Sequence, residues 1–340
     1  MTVGLLSRAA RGGTPLIDGD RATFVWYGAR APRLIGDFTH WEREPLILRR
    51  SGKRVWSRSI AFYEDAYVEY AFLDGHVRLR DTLNPRRVDN GIDATNHYFY
   101  MPKGAPTPLA RPRRGVRRGT IRSLVLDASP FLASKRRRVH FYAPAAAGPW
   151  PLLVALDGDE YRRRAHLATI VDNLVAERRI RPIAIAFVPH AGEARLSEYA
   201  GNEGTVAFFR ERLLPAARDV LQLQSGRGAH AIIGPSMGGF MALHAALRDP
   251  EMFGTVLSQS GAFNLGGRDI VTFALVRSAR SLRVWMDVGH LEFLVAANRR
   301  MRRALVAAGH DVRYREYHAG HNWTAWRDDV WRGLEAVFGG

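Results

Sequence analysis

The segment Gly-Pro-Ser-Met-Gly, residues 234–238, is the pattern in this sequence that most clearly indicates a catalytic residue. A short apolar run, 230–234, leads directly into it, and a helix-forming run follows over 238–248. In a Gly-x-Ser-x-Gly turn, small flanking residues let strand and helix approach, and the serine hydroxyl stands clear of the sheet at a helix N-terminus. The pattern predicts that Ser236 is a nucleophile and that the Met237 backbone N–H faces a developing oxyanion. The alternative is a glycine-rich helix cap with an incidental serine.

A serine nucleophile needs a base, and after this turn the chain order is serine, acid, histidine. The histidines that follow the serine are His244, His290, His310, His318 and His321. His244 falls in the predicted helix, and His310 precedes the last predicted strand. His318 and His321 lie just beyond that strand, where the base is expected. His321 is favoured because Gly320 allows a sharp turn and a helix begins directly afterwards, and His318 stays as the alternative.

The acid is expected after the preceding strand, predicted at 283–288. Glu292 lies just past the end of that strand, so its carboxylate can reach back and fix the imidazole tautomer. Asp287 is the rival, but it lies within the strand, where a structural hydrogen bond is the simpler interpretation. The residues favour Glu292 and leave Asp287 open.

A second oxyanion donor is expected from the loop after the first buried strand, 152–156. That loop contains Asp157, Gly158 and Asp159 in succession. Gly158 permits the unusual backbone angles that aim the next amide inward. We therefore predict the Asp159 N–H as the second donor, with Asp157 and Gly158 lining the substrate pocket. The alternative is an acidic loop that is merely solvated.

Metal and cofactor chemistry is not expected. The earlier histidines show no ligand spacing of the His-x-x-x-His kind; they are His140, His166, His190 and His230. The chain contains no cysteine, which removes thiolate ligands, disulfides and cysteine catalysis together.

The elements that would position these residues alternate between strand and helix from residue 120 onward. The predicted strands are 123–127, 137–143, 152–156, 183–188, 230–234, 255–259, 283–288 and 312–317. Amphipathic stretches predict helices at 165–179, 206–223, 238–248, 293–308 and 324–337. Continuous apolar runs at 152–156 and 183–188 are typical of parallel strands covered on both faces. The alternation therefore predicts an α/β fold with a mostly parallel central sheet over residues 120–340. Together with the serine turn at 234–238, this is the pattern of an α/β-hydrolase domain.

The N-terminal part, residues 1–101, is predicted to form a separate β-sandwich domain. Its short strand-like segments are rich in β-branched and aromatic residues and lie at 22–26, 33–36, 55–60 and 68–72. Asp74-Gly75 is a hairpin signal between two such segments. Residues 102–119 are rich in proline and arginine without apolar periodicity, so they are predicted to form a linker.

Composition limits the classes of partner. The 340 residues carry a formal net charge of +17, but lysine occurs only at positions 53, 103 and 135, and the arginines are scattered through both halves. This scatter argues against nucleic-acid binding, and a positive field would more readily attract a small anionic substrate. No apolar stretch reaches signal-peptide or membrane-spanning length, so a soluble cytoplasmic protein without membrane partners is expected.

The whole chain resembles enterochelin (enterobactin) esterases of the esterase-D-like branch of α/β hydrolases. The motifs that carry the resemblance are Leu-Asp-Gly at 156–158, Gly-Pro-Ser-Met-Gly-Gly at 234–239 and the tail over 314–327. In the N-terminal part, segments 33–41 and 81–87 are similar to the immunoglobulin-like (early-set) N-domain of that family.

The resemblance implies hydrolysis of the ester bonds of a tri-catecholate trilactone siderophore, which releases iron inside the cell. It supports His321 over His318 as the base, and it is compatible with Glu292 as the acid. The iron-loaded substrate is anionic, which suits the positive charge of the chain.

Three residues near the proposed base are expected to bind catechol. Trp323 and Trp326 could stack on catechol rings, and Arg327 could bind their oxygens; packing within the helix is the alternative for both tryptophans. Two other functions stay open: a feruloyl or acetyl esterase acting on carbohydrate, and a non-catalytic protein that binds siderophore or glycan.

Overall fold

The computed structural model describes residues 4–91, 94–264, 267–278 and 280–339. The chain forms two compact units. Unit 1 comprises Met1–Pro106 together with Gly289–Phe293 and Tyr317–Ala325. Unit 2 comprises Thr107–Val288, Leu294–Glu316 and Trp326–Gly340.

Unit 1 consists mainly of antiparallel strands. They are β1 Leu16–Asp18, β2 Arg21–Tyr27, β3 Arg33–Gly36, β4 Leu46–Ile47, β5 Arg49–Gly52, β6 Val55–Ala61, β7 Tyr67–Asp74, β8 Val77–Leu79, β9 Arg87–Asp89 and β10 Thr95–Tyr100, preceded by helix α1 Leu5–Gly12. One sheet has the order β1-β2-β6-β5, and the other has the order β4-β3-β7-β10-β9 with β8 on β7. Short 3-10 turns at Asp37–Thr39 and Trp41–Arg43 follow β3.

The two sheets of unit 1 share one hydrophobic core. Phe24 of β2 packs edge-on against Tyr70 of β7 and Phe99 of β10, with ring centroids 4.9 and 5.8 Å away. Successive side chains of a strand point to opposite faces, and Phe24, Tyr70 and Phe99 lie on the faces that form this core. The strands predicted at 22–26, 33–36, 55–60 and 68–72 are confirmed, and β7 and β8 pair as the hairpin predicted at Asp74-Gly75.

Unit 2 contains a single large sheet. Its strands are β11 Thr120–Asp127, β12 Arg136–Ala143, β13 Leu152–Leu156, β14 Ala184–Val188, β15 His230–Pro235, β16 Phe253–Gln259, β17 Arg283–Gly289 and β18 Asp311–Tyr317, the last residues of β17 and β18 belonging to unit 1. They lie in the order β11-β12-β14-β13-β15-β16-β17-β18. The strands from β14 to β17 pair in parallel, whereas β12 pairs antiparallel with β11 and β14.

Helices connect these strands. They are α2 Gly158–Arg163, α3 Leu167–Ala176, α4 Arg195–Tyr199, α5 Glu203–Phe208, α6 Leu214–Val220, α7 Met237–Arg248, α8 Arg268–Ser278, α9 Val295–Ala307 and α10 Trp323–Phe338. Because helices alternate with strands that are buried along their whole length, such as β13 and β14, the predicted mixed α/β class is confirmed. Among the described residues, no helix combines the length and the apolarity needed to cross a bilayer.

The long helix predicted at 206–223 is interrupted. A π-helical turn at Phe209–Leu213 separates α5 from α6, which has Pro215 in its first turn. Proline lacks a backbone N–H and cannot continue a regular hydrogen-bond ladder, which explains the irregular turn before it. Helices α2, α4 and α8 have no counterpart among the predicted helices.

The C-terminal part of the predicted linker packs against α3. The Asn173 side-chain amide donates to the carbonyls of Leu109 and Arg111, at 2.7 and 2.9 Å. The Gly119 N–H donates to Asp172 Oδ1 at 2.9 Å. The boundaries 1–101, 102–119 and 120–340 stay a prediction, since compactness does not test which segments fold on their own.

Candidate active site

Ser236 forms the junction between β15 and α7. Its backbone has φ 57° and ψ −120°, in a region that residues other than glycine rarely adopt. The turn is held from both sides, because the Ser236 N–H donates to the Gln259 carbonyl at 2.8 Å and the Ala262 N–H donates to the Ser236 carbonyl at 3.0 Å. Ser236 is half-buried between a buried strand and a buried helix. This is the strained strand-turn-helix geometry that the sequence predicts.

The glycines around Ser236 allow strand and helix to touch. A Cβ added at Gly234 would overlap the backbone of Gly238, so no side chain fits there. Met237 is the first residue of α7, and an N–H at that position has no acceptor within the helix. The Met237 amide is therefore available to an oxyanion bound at the helix N-terminus.

The loop after β13 lies beside this turn. A Cβ at Gly238 would stand 3.1 Å from Oδ2 of Asp157, the residue that follows β13. Asp157 is buried with φ 52°, and both its oxygens accept from Arg195 at 2.6 Å. Burial raises the pKa of Asp157, while the Arg195 guanidinium acts in the opposite direction. Asp157 thus anchors the loop through a buried ion pair that the sequence analysis missed.

Gly158 and Asp159 open helix α2. A Cβ at Gly158 would overlap the backbone of β14, so only glycine fits there. The Asp159 N–H lies in the first helical turn, where amides lack helical acceptors. The Asp159 side chain instead turns to His140 Nε2 at 3.3 Å and Arg162 Nη2 at 3.1 Å. Its role as oxyanion donor stays a prediction.

His321 lies in the short connection between β18 and α10. Asn322 caps the helix, since its Oδ1 accepts the Ala325 N–H at 2.9 Å. This cap places His321 immediately before the helix. The acid loop, residues 290–293, contains Glu292 and follows β17. Two backbone hydrogen bonds join it to the same connection, from His290 N–H to the Tyr317 carbonyl at 2.7 Å and from Leu291 N–H to the Ala319 carbonyl at 3.1 Å.

Glu292 and His321 form a close pair within unit 1. His321 Nδ1 lies 2.6 Å from Glu292 Oε2, and the Glu292 side chain is fully buried. The other carboxylate oxygen, Oε1, accepts the Gly289 N–H at 2.8 Å. A carboxylate at Nδ1 leaves Nε2 as the basic nitrogen of the ring, which is the orienting role of a triad acid.

The two rival residues have other hydrogen-bond partners. His318 Nδ1 lies 2.6 Å from Asp65 Oδ1, and its ring stacks on Tyr63 with centroids 3.7 Å apart. Asp287 lies inside β17 in unit 2, where its Oδ2 accepts the Trp285 indole N–H at 2.7 Å. The choice of His321 over His318 and of Glu292 over Asp287 stays a prediction.

The remaining histidines after the serine make other contacts. His244 is buried in α7 with Nδ1 3.1 Å from Thr272 Oγ1. His310 is buried, with Nδ1 accepting the Leu282 N–H at 3.1 Å. The His290 ring packs edge-on against Tyr63 at 5.9 Å.

The residues predicted to bind catechol have little exposed surface. Trp323 is 8% exposed and Trp326 is 4% exposed. The Trp326 indole N–H donates to Ser260 Oγ at 3.0 Å, and Arg327 Nε donates to Asp328 Oδ1 at 2.9 Å. The packing alternative describes the tryptophans in this structure, and their part in substrate binding stays a prediction.

Two buried acids of unit 1 lie behind the His321 connection. Asp37 Oδ2 accepts the Glu69 N–H at 2.8 Å, and a Cβ added at Gly320 would overlap the Asp37 carboxyl group. Burial raises the pKa of Asp37 well above its ordinary value, and the nearby Glu69 and Glu292 raise it further. Asp37 belongs to the segment 33–41 that carries the family resemblance. The sequence therefore singled out this segment, but it did not indicate that Asp37 packs against Gly320.

One group of possible metal ligands occurs among the described residues. Oxygen or nitrogen atoms of Asp157, Glu160 and His190 lie within 4.8 Å of one another. Both Asp157 oxygens are already bonded to the Arg195 guanidinium, whose charge opposes a cation there. The expected lack of a metal stays a prediction.

Comparison with known proteins identifies relatives for the whole chain. The family model described as "Putative esterase" matches residues 132–336. The iron(III) enterobactin esterase of Dickeya dadantii strain 3937 is 26% identical over an alignment 401 residues long, which spans 98% of this chain and 92% of that protein.

Solved structures share the fold. Ferric enterobactin esterase from Salmonella typhimurium has a TM-score of 0.79 at 22% identity, covering 94% of this chain and 95% of that chain. The enterobactin esterase from Shigella flexneri, solved in the presence of enterobactin, has a TM-score of 0.78 at 18% identity and covers 98% of both chains.

Proposed function

This chain belongs to the esterase family, and we propose that it is a serine carboxylic-ester hydrolase that cleaves the trilactone of a catecholate siderophore. The observation that carries the catalytic part is the His321–Glu292 pair, with Nδ1 and Oε2 2.6 Å apart. A buried carboxylate on one imidazole nitrogen is the arrangement that makes the other nitrogen a general base.

Chain order and strand order support Ser236, Glu292 and His321 as the triad. Each follows the carboxyl end of a strand of the large sheet: Ser236 follows β15, Glu292 follows β17 and His321 follows β18. Active-site groups of such sheets come from loops at the carboxyl ends of strands, in the order serine, acid, histidine.

The reaction we propose is acyl transfer through Ser236. The serine oxygen attacks the ester carbonyl while His321 Nε2 takes the hydroxyl proton, and the Met237 and Asp159 amides bind the oxyanion. Collapse breaks the ester bond, and the imidazolium returns its proton to the departing alcohol. Water then attacks the acyl-enzyme, again with His321 as base, and regenerates Ser236.

The substrate assignment rests on the relatives and on charge. The Dickeya dadantii relative, aligned over 98% of this chain, is named as an iron(III) enterobactin esterase. A formal net charge of +17 would attract an anionic ferric catecholate and raise its association rate. We propose that five residues contribute to binding of the substrate: Asp157, Gly158, Trp323, Trp326 and Arg327. Asp157 contributes indirectly, because its ion pair with Arg195 holds the loop after β13.

We also propose finer assignments for the fold and the compartment. The large sheet with its serine turn fits an α/β-hydrolase domain, and the two packed antiparallel sheets of unit 1 fit an immunoglobulin-like sandwich. Iron released from an imported siderophore is used inside the cell, so cytoplasmic action follows from the proposed substrate.

Product analysis by mass spectrometry tests the substrate. The protein is incubated separately with ferric enterobactin, iron-free enterobactin and a feruloylated sugar. We expect linear dihydroxybenzoylserine fragments from the enterobactin samples and little ferulate from the sugar. Ferulate release without trilactone opening would establish the carbohydrate esterase instead, and no product from any ester would favour a binding protein.

A further inference from the structure

Phe293 is the exposed aromatic residue that follows the proposed acid. It is 53% exposed, although both neighbours in the chain, Glu292 and Leu294, are buried. Its ring centroid lies 5.6 Å from that of His321, with the planes inclined by 43°. A solvent-exposed aromatic ring beside the proposed base offers apolar surface to a bound ligand.

A cation stands over the same ring. The guanidinium carbon of Arg43 lies 6.0 Å from the Phe293 ring centroid. Arg43 is exposed, and none of the described carboxylates forms an ion pair with it. The adjacent Glu42 is paired with Arg78 at 2.8 Å, so it does not neutralise Arg43.

The turn that presents Arg43 is held in an unusual backbone conformation. His40 and Trp41 have φ of 46° and 59°, in the left-handed region that disfavours side chains. Thr39 fixes this turn, because its hydroxyl donates to the Trp41 carbonyl at 2.9 Å and accepts the Gly36 N–H at 3.0 Å. The chain therefore directs this segment toward the acid loop at an energetic cost.

We propose that Phe293 and Arg43 form a platform for an aromatic ring bearing oxyanions, next to His321. The ring face of Phe293 would pack against the catechol ring, and the Arg43 guanidinium would pair with its ring oxygens or carboxylate. The inference deepens the proposed function and rests on it for the identity of the substrate. It adds an exposed pair to the proposed contributors, among which Trp323 and Trp326 are almost completely buried.

Calorimetric binding of 2,3-dihydroxybenzoate to the full chain tests the platform without requiring turnover. We expect Phe293→Ala to raise the Kd about tenfold and Phe293→Leu, which keeps the apolar surface, to raise it less. Arg43→Gln should raise the Kd several-fold, with the difference shrinking at high salt. Cyclohexanecarboxylate, which has the charge but no aromatic ring, should bind weakly and respond only to Arg43→Gln.

Matched control variants come from the first sheet of unit 1. Arg54 lies 5.4 Å over the ring of Tyr27, which is 51% exposed, so the pair resembles the platform without adjoining the His321 connection. Arg54→Gln and Tyr27→Ala should leave the Kd within about twofold of the unmodified protein. Melting temperatures of all variants show whether they are folded.

Two results would overturn the platform: unchanged Kd values in folded Phe293→Ala and Phe293→Leu, or equal weakening of the aromatic and cyclohexane ligands. The steady-state test is separate. If the unmodified protein does not open enterobactin, the proposed substrate is wrong while the binding result still stands. If it does, the KM for enterobactin should rise about tenfold in Phe293→Ala.

Discussion

His321 Nδ1 lies 2.6 Å from Glu292 Oε2, and the second oxygen of that carboxylate accepts the Gly289 N–H at 2.8 Å. Both carboxylate oxygens of Glu292 therefore have a partner, one in the imidazole and the other in the backbone at the end of β17. The pair fixes the tautomer of His321 before any substrate binds, which is the structural basis of the proposed mechanism.

Glu292→Gln should lower kcat on an activated aryl ester by about 10²- to 10⁴-fold, because an amide cannot stabilise the imidazolium. The KM should change little, since Glu292 is buried beneath the imidazole. His318→Asn and Asp287→Asn serve as controls and should retain kcat within about tenfold. If Asp287→Asn is the more damaging change, the acid is Asp287.

Gly320→Ala should destabilise unit 1, because the added methyl group would overlap the carboxyl group of Asp37. We expect a loss of about 1–3 kcal/mol in the free energy of unfolding, with reduced kcat from displacement of the adjacent His321. Gly12→Ala, where a Cβ meets nothing within 4 Å, is the control. In urea unfolding, Asp37→Ala should partly rescue Gly320→Ala, and strict additivity of the two changes would contradict the packing argument.

Glu69 should make stability depend on pH. Burial raises its pKa from 4.5 to about 7, although Asn96 and Tyr67 donate hydrogen bonds to it. Between these two values the folded chain binds more protons than the unfolded chain. The free energy of unfolding should therefore fall as pH rises through this window.

Glu69→Gln removes this titration and tests the contribution directly. Urea unfolding of both proteins at pH 5 and pH 8 should show a smaller decrease in the variant. The same decrease in both proteins would mean that Glu69 ionises at its ordinary pKa in the folded chain.

Arg195→Ala should destabilise unit 2, because it leaves the buried Asp157 without its bidentate partner. We expect a loss of about 3 kcal/mol, measured by thermal unfolding. Asp157→Asn combined with Arg195→Ala should recover part of it, since no charge is then left buried. A double variant no more stable than the single one would show that the arginine acts through packing alone.

The elements that the sequence predicts best are those fixed by local pattern. Apolar runs predict β13 and β14, and the small residues around Ser236 predict the strained turn because sterics allow little else there. The position after the last strand indicates both His318 and His321, and the assignment of His321 as base stays a prediction.

Contacts between residues that are far apart in the sequence cannot be predicted from local pattern. The partner of Asp157 is Arg195, on α4, and Gly320 packs on Asp37, in the short turn after β3. Neither pairing leaves a periodic signal. Trp323 and Trp326 show that residue type alone can mislead. Aromatic residues after His321 predict a surface for a ligand, whereas both side chains are buried in the structure.

The opening of enterobactin by the unmodified protein and by Ser236→Ala, with products identified by mass spectrometry, tests most directly whether Ser236 is the nucleophile. We predict linear dihydroxybenzoylserine products from the unmodified protein and none above background from the variant, at equal melting temperatures. Trilactone opening by Ser236→Ala at the unmodified rate would show that Ser236 is not the nucleophile.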